Sequence, residues 1–412
     1  MLPIGEDWYR RQLLAAVFLG VFGGLFALAF SIVTTGATDL LYGDPISDPW
    51  SGEWWWIALT AGGAVLVVAI RRALAVPDEL PGAIAMAKAA RVDAELAPKL
   101  AIISVVSLVV GASLGPSFAI IVAGGGMGSW LEQRRQHNEP EAQGQYTLTG
   151  MSGAFGGVFT SPLFASIMVG ELSPTEKKNY VAAFIPQFLA ATIGYAIFFG
   201  VTGETMLGLF EVKGDYTFEN KDLLLGVLLG LFAALTLLVY TLVGQAVRAV
   251  VARVKMPWLN AAVGGGLIGL IAFALPLTAT GGSSQLTYTA DNVTTLGIGL
   301  LIAVLLGKMV AMTLSQELGF LGGKVFPILF VGGAAGALVQ AIFSDIPASL
   351  AMAAMIAAVP GAVVSAPVSF IFIGVGGVLL GPEGFAPVGL AVITAYLAMS
   401  TVKFFKQEQD AM

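Results

Sequence analysis

The sequence predicts an all-α polytopic membrane protein, made of two inverted halves whose broken helices meet at mid-membrane. Three observations carry that prediction. Hydrophobic residues make up 57% of the 412-residue chain and charged residues 11%. A water-soluble core cannot hide that much apolar surface, whereas a bilayer solvates it. Basic residues crowd alternate connections between apolar stretches. Gly/Pro breaks interrupt the apolar stretches at corresponding places in the two halves.

Apolar stretches run over 12–35, 54–75, 98–132, 145–171, 180–210, 222–252, 256–280, 293–317, 320–343, 347–380 and 384–402. One crossing needs about 20 residues, so the longest of these either tilt or hold two shorter helices joined at Gly or Pro. The breaks favour the second arrangement. The first stretch, from Leu13, has acidic residues after it and no small-residue cleavage site, so it reads as a retained span. The last ends near Val402, which predicts one transmembrane domain over 1–412 with no soluble regulatory domain. The first half is expected over about 1–205 and the second over about 206–412.

Orientation follows from the basic residues. Arg10 and Arg11 precede the first span, and Arg71, Arg72, Lys88, Arg91 and Lys99 follow the second. Arg134, Arg135, Lys177, Lys178, Arg248, Arg253, Lys255, Lys403 and Lys406 fall on further alternate connections. Residues 37–53 instead carry Asp39, Asp44, Asp48 and Glu53 without a base, and 275–292 carry only Asp291. The expectation is an inner (cell) membrane protein with both termini cytoplasmic. Trp54, Trp55 and Trp56 then read as an interfacial anchor.

Composition also excludes chemistry. There is no cysteine, hence no disulfide or thiolate site. The single histidine, His137, lies among Arg134, Arg135, Asn138 and Glu139, a polar loop and not a metal or proton site. A net charge of −6 gives no support for nucleic-acid binding. No metal or cofactor is expected. Gly150-Met151-Ser152-Gly153 matches the G-x-S-G of intramembrane serine proteases. That chemistry needs a base for the serine, and His137 is badly placed to supply one. Small residues around Ser152 serve helix packing equally well, so the chain is not read as an enzyme.

The breaks carry the functional reading. The first pair is Gly111-Ala112-Ser113-Leu114-Gly115-Pro116-Ser117 and Gly322-Gly323-Lys324-Val325-Phe326-Pro327. The second pair is Phe159-Thr160-Ser161-Pro162-Leu163 and Ser365-Ala366-Pro367-Val368. Aligned on their prolines, the pairs are offset by 327 − 116 = 211 and 367 − 162 = 205 residues. Helix ends exposed at such breaks present unpaired N–H groups, which attract anions.

These elements resemble the CLC family of chloride channels and proton/chloride exchangers. Phe159 to Leu172 is similar to the family's "FNAPLAG" helix and its closing acidic pair, and Ser365-Ala366-Pro367-Val368 to its second-half counterpart. Gly115-Pro116 is similar to the end of "GREGP", and Gly322 to Pro327 to "GxFxP". Pro77-Asp78-Glu79-Leu80-Pro81 stands where "GSGIP" would fall. The resemblance implies the fold, a small-anion substrate with chloride first, the lipid bilayer as surroundings, and a homodimer with one path per subunit. It implies an ion pathway over Ser113, Leu114, Gly115, Ser117, Lys324, Val325, Phe326, Asp78 and Glu79.

The departures bear on mechanism. Leu114 stands at the family's gating glutamate, and Leu172 at its internal proton-accepting glutamate. Asp78 stands at the ion-binding serine, and no tyrosine matches after Ser400. Leucine cannot titrate, so the expectation is an anion channel or uncoupled transporter, not proton-coupled through those positions. The alternatives are a transporter of a different ion, including a cation drawn by Asp78 and Glu79, and a non-conducting homologue serving as a partner subunit.

Each candidate has a second reading. Lys324 is either an anion ligand or a lysine snorkelling to the interface. Asp78 caps the following helix, pairs with Lys324, or favours cations. Glu171 reads as a cytoplasmic-edge salt bridge with Lys177 and Lys178, or less simply as a proton path. Glu317 is a possible ion-pair partner of Lys324. Ser113 and Ser117 donate either to an ion or to freed backbone groups.

Overall fold

The computed structural model describes residues 3–43, 52–77, 79–135, 144–173, 180–212 and 216–411, with the backbone alone at 135 and over 403–411. Sixteen α-helices form these residues. In the first half they are α1 (Asp7–Tyr42), α2 (Trp56–Ala73), α3 (Ala83–Lys88), α4 (Ala97–Val109), α5 (Ser117–Arg135), α6 (Gln145–Val158), α7 (Pro162–Leu172) and α8 (Tyr180–Thr202). In the second they are α9 (Lys221–Val251), α10 (Pro257–Ala274), α11 (Ser283–Asp291), α12 (Ile298–Glu317), α13 (Val325–Ile342), α14 (Ala348–Val364), α15 (Pro367–Val378) and α16 (Phe385–Ala411). Among the described residues, eight helices are long and apolar enough to cross a membrane.

The longest apolar stretches do contain two helices. The stretch 98–132 divides into α4 and α5, 145–171 into α6 and α7, and 347–380 into α14 and α15. The helix α16 runs on to Ala411, past the expected end at Val402. Burial sorts the helices. Nearly every side chain of α13 and α14 is inside, as expected of helices apolar on all faces. The helices α1, α9 and α10 turn leucines and valines outward, as a lipid-facing surface requires. Backbones touch where glycine permits: a Cβ on Gly156 would lie 2.1 Å from the Ala191 carbonyl oxygen. Ser152 is buried in this α1–α6–α8 packing. The Trp run divides: Trp54 is exposed, while Trp56 is buried against Tyr42, with ring centroids 5.3 Å apart, so Trp56 is core and not an interfacial anchor.

The two halves repeat in backbone detail. Gly111 and Gly319 both take positive φ, 95° and 81°, where a side chain would strain the chain. Each is followed by an amide held by a serine of the other half. The Ser113 N–H donates to Ser315 Oγ (3.0 Å) and the Leu321 N–H to Ser107 Oγ (3.0 Å). Both correspondences give one offset, 315 − 107 = 321 − 113 = 208. The proline alignment at 211 is therefore three residues out. Pro116 precedes its helix, whereas Pro327 is the third residue of α13. Proline lacks a donor and tolerates any first-turn position, so it marks a helix start without fixing register. At the second break the offset of 205 holds, with Thr160 and Ser365 both left-handed at φ 45° and 63°.

Candidate functional site

The first breaks of the two halves meet directly. Gly115 N–H donates to the Gly323 carbonyl (2.8 Å) and Gly323 N–H to the Gly115 carbonyl (2.7 Å). This two-bond bridge sets the N-termini of α5 and α13 side by side. The first-turn N–H groups of both lack intrahelical acceptors and carry partial positive charge. Glycine is required on both strands: a Cβ on Gly323 would lie 1.7 Å from Ser117 Oγ, and one on Gly115 would lie 2.9 Å from Phe326 Cβ.

The two serines flanking the break differ. Ser113 is buried and directs its hydroxyl to the Thr278 carbonyl at 3.5 Å. Ser117 is equally buried, and its hydroxyl has no hydrogen-bond partner among the described residues. An unspent donor at a helix N-terminus suits an anion.

On one side of the bridge lies a cavity of about 740 Å³. Its exposed rim carries Asp39 and Glu204, and its walls carry Ser31, Thr34, Thr35 and Thr38 of α1 with Ser283 and Ser284 of α11. Its buried end is formed by Leu114 (1% exposed), Phe159 (0%) and Phe326 (8%). Phe159 stacks on Phe326 with ring centroids 5.1 Å apart and planes within 5°, joining the second break of one half to the first break of the other. Leu114 is held against Gly322, where a Cβ would approach Leu114 Cβ to 2.5 Å. Val325 is buried beside Phe326 at the first turn of α13.

A cluster of charges lies outside the cavity lining. Lys324 is the N-cap residue of α13, exposed and within electrostatic reach of Arg248 and Glu317. Glu317 itself lies 3.9 Å from Arg248 Nη1, so its ion pair is with Arg248 and not with Lys324. Arg71 ties this region together, donating to the Gly319 carbonyl (3.0 Å) and the Pro77 carbonyl (2.7 Å). Asp78 lies outside the described residues, as do His137, Lys177 and Lys178. Glu79 is exposed. The helix after them, α3, has Gly82 at its N-cap position, with no side-chain cap.

Glu171 has a structural role that its sequence neighbours do not suggest. It accepts from Val368 N–H (2.8 Å), Ser369 N–H (2.9 Å) and the Ser369 hydroxyl, closing the N-terminus of α15 from the end of α7. The reason is local. Ser161 caps α7 through its own hydroxyl, but its counterpart in the second half is Ala366, which has none. Glu171 reaches across to serve those amides, while Lys177 and Lys178, its expected partners, lie outside the described residues.

One residue escaped the sequence reading. Lys308, in the middle of α12, is fully buried. Its ammonium donates to the carbonyls of Thr280 (2.7 Å), Thr278 (3.1 Å) and Ala279 (3.5 Å), and lies 5.3 Å from the Phe330 ring centroid. The signal was present: Lys308 is the only charge between Ile298 and Gln316. The hydroxyls Ser31, Thr34, Thr35 and Thr38, at helical spacing on one face of α1, were a second such signal.

The family model described as "Voltage gated chloride channel" matches residues 76–400, most of the chain, including the breaks at Gly111–Ser117 and Gly322–Pro327 but not α1. The chain belongs to the voltage-gated chloride channel (CLC) family. Among curated proteins, this CLC chain is 29% identical over 200 residues to the uncharacterized protein MJ0305 of Methanocaldococcus jannaschii. That match covers 48% of the chain and about half, 49%, of the relative's length. Among solved structures it is similar to a slow cyanobacterial Cl−/H+ antiporter, with TM-score 0.81, 17% identity and 95% of each chain covered. It is also similar to a CLC-type fluoride/proton antiporter, with TM-score 0.74, 17% identity, and 94% of this chain and 95% of that one covered. At such identities the likeness shows the CLC fold, which places Leu114, Ser117 and the glycine bridge at the meeting point of the two halves.

Proposed function

We propose that this CLC protein conducts small anions, chloride first, as a channel or uncoupled transporter, each subunit of a homodimer holding its own path. The observation that carries the reading is the Gly115–Gly323 bridge, which turns the α5 and α13 N-termini and the unspent Ser117 hydroxyl toward one point beside the cavity. Partial positive charge and donors without acceptors suit an anion. Lys324 adds a full charge next to the bridge, at the N-cap of α13. Leu114, buried at the end of the cavity, supplies no titratable group there, and neither does Leu172 at the end of α7. This supports transport uncoupled from protons at those two positions. With the acid-rich connections outside, the cavity is an outer vestibule, both termini are cytoplasmic, and the protein resides in the inner membrane.

The test is ion flux from purified protein in liposomes, with chloride, fluoride, nitrate and potassium compared at clamped pH. Chloride efflux without uphill proton movement is expected. Fluoride preferred over chloride would change the ion but keep the class. Potassium flux alone would reverse the charge of the substrate, and no flux of any ion would favour a non-conducting partner subunit. Because the chain has no cysteine, single cysteines at Glu204 and Lys255 test orientation. An impermeant thiol reagent should label the first in intact cells and the second only after lysis.

A further inference from the structure

We infer that Lys308 is the buried positive charge that makes the outer vestibule selective for anions, acting through the wall segment 278–282 that it holds in place. The inference rests on the reading of the cavity as an anion path and names the residue that sets its selectivity.

The first part of the argument is placement. The helix α12 has 20 residues, and Lys308 is its eleventh, about 15 Å from either end at 1.5 Å per residue. An ammonium at that depth is costly and is retained where it meets dipoles or a water-filled path. None of the ion pairs among the described residues includes Lys308, so its ammonium is solvated by carbonyl dipoles and not neutralised by a carboxylate. Its three N–H donors face three successive carbonyls, of Thr278, Ala279 and Thr280.

The second part is what those carbonyls do to the wall. Thr280 adopts a left-handed conformation, φ 50°, and Gly282 follows at φ 91°. Three carbonyls drawn to one ammonium bend the segment around it. Thr280 and Gly281 still line the vestibule, and Gly281 lies against the Leu114 backbone, where a Cβ would sit 3.2 Å from the Leu114 carbonyl. The positive charge is therefore one backbone layer behind the wall, beside the buried end of the cavity. Gly282 completes the fit, since a Cβ there would come within 3.1 Å of Lys308 Nζ. The carbonyl dipoles solvate the ammonium without cancelling its net charge, which favours anions in the adjoining cavity over cations. Asp39 and Glu204 also line the cavity and are exposed, whereas the Lys308 ammonium is buried in its wall.

Lys308→Met keeps length and removes the charge. Its anion-to-cation permeability ratio, read from the reversal potential of reconstituted protein across a salt gradient, should fall on the order of tenfold. Ser283→Lys places a new ammonium on the exposed first turn of α11, in the vestibule wall beside Gly282. In the Lys308→Met background it should restore part of the ratio, which a lost packing contact would not allow. Reduced flux at an unchanged ratio, or no rescue by Ser283→Lys in a folded double variant, would overturn the inference. Should Lys308→Met fail to fold, Lys308→Gln, which keeps N–H donors for the same carbonyls and removes the charge, decides. Loss of the charge must lower the ratio, and an unchanged ratio refutes Lys308 as the selectivity charge. If the unmodified protein passes no anion, the functional reading fails instead, and that result is distinct from an anion-selective protein insensitive to both variants.

Discussion

Gly115 and Gly323, 208 residues apart, donate their backbone N–H groups to each other's carbonyls and so join the two halves of the molecule. The contact depends on the absence of two side chains. Gly323→Ala would drive a methyl into Ser117 Oγ and the Phe118 amide. Overpacking of this kind costs about 1–3 kcal/mol. The expected result is a lower unfolding temperature in detergent and loss of anion flux, with Ser117→Gly recovering part of the stability. A Gly323→Ala protein that melts with the wild type and conducts normally would show that the bridge does not hold the pathway.

Leu114 closes the buried end of the vestibule with Phe159 and Phe326. Truncating a buried leucine costs about 2–5 kcal/mol where the surroundings cannot collapse. Leu114→Ala is therefore expected to be less stable and to pass chloride faster, measured as chloride efflux from liposomes. Neither protein should move protons uphill on a chloride gradient. Proton pumping at a fixed ratio in the wild type would direct attention to Glu171, Glu317, Asp78 and Glu79.

Glu171 caps α15 across 197 residues of sequence. Removing a cap costs about 0.5–2 kcal/mol. Glu171→Ala should lower the unfolding temperature and leave ion selectivity unchanged. Ala366→Ser, which rebuilds in α15 the local cap that Ser161 gives α7, should return part of that loss. A change of selectivity at constant stability would place Glu171 on the ion path instead.

Lys324 stands alone among the pathway candidates in carrying a full positive charge at a helix N-cap. Lys324→Met is expected to reduce chloride flux or its preference over other anions, while Lys324→Arg retains more activity because it keeps the charge. Unchanged flux in Lys324→Met leaves the residue as a member of the Arg248–Glu317 charge cluster only.

Much of this was legible before any coordinates. Composition alone required a bilayer, because 57% hydrophobic residues exceed what a soluble core can bury. Gly111 to Ser117 and Gly322 to Pro327 announced the broken helices, because glycine and proline interrupt the ladder that lipid otherwise enforces. Leu114 and Leu172 were visible as residues that cannot titrate.

Tertiary structure decided what depends on partners distant in sequence. The register of the two halves came from Ser107 and Ser315, each holding an amide of the opposite half, and prolines carry no such pairing information. That Glu171 serves the N-terminus of α15 was visible only once α15 was seen to lack its own cap. Lys308 was one charge in an apolar span. Its meaning lies in three carbonyls 28–30 residues earlier, which only the packing of α12 against the vestibule wall brings to its ammonium. Local sequence fixes where a helix starts and breaks, because those costs are paid within a few residues. Which buried polar group satisfies which is settled only when the helices pack, because in hydrocarbon any donor or acceptor must take the partner the fold places beside it.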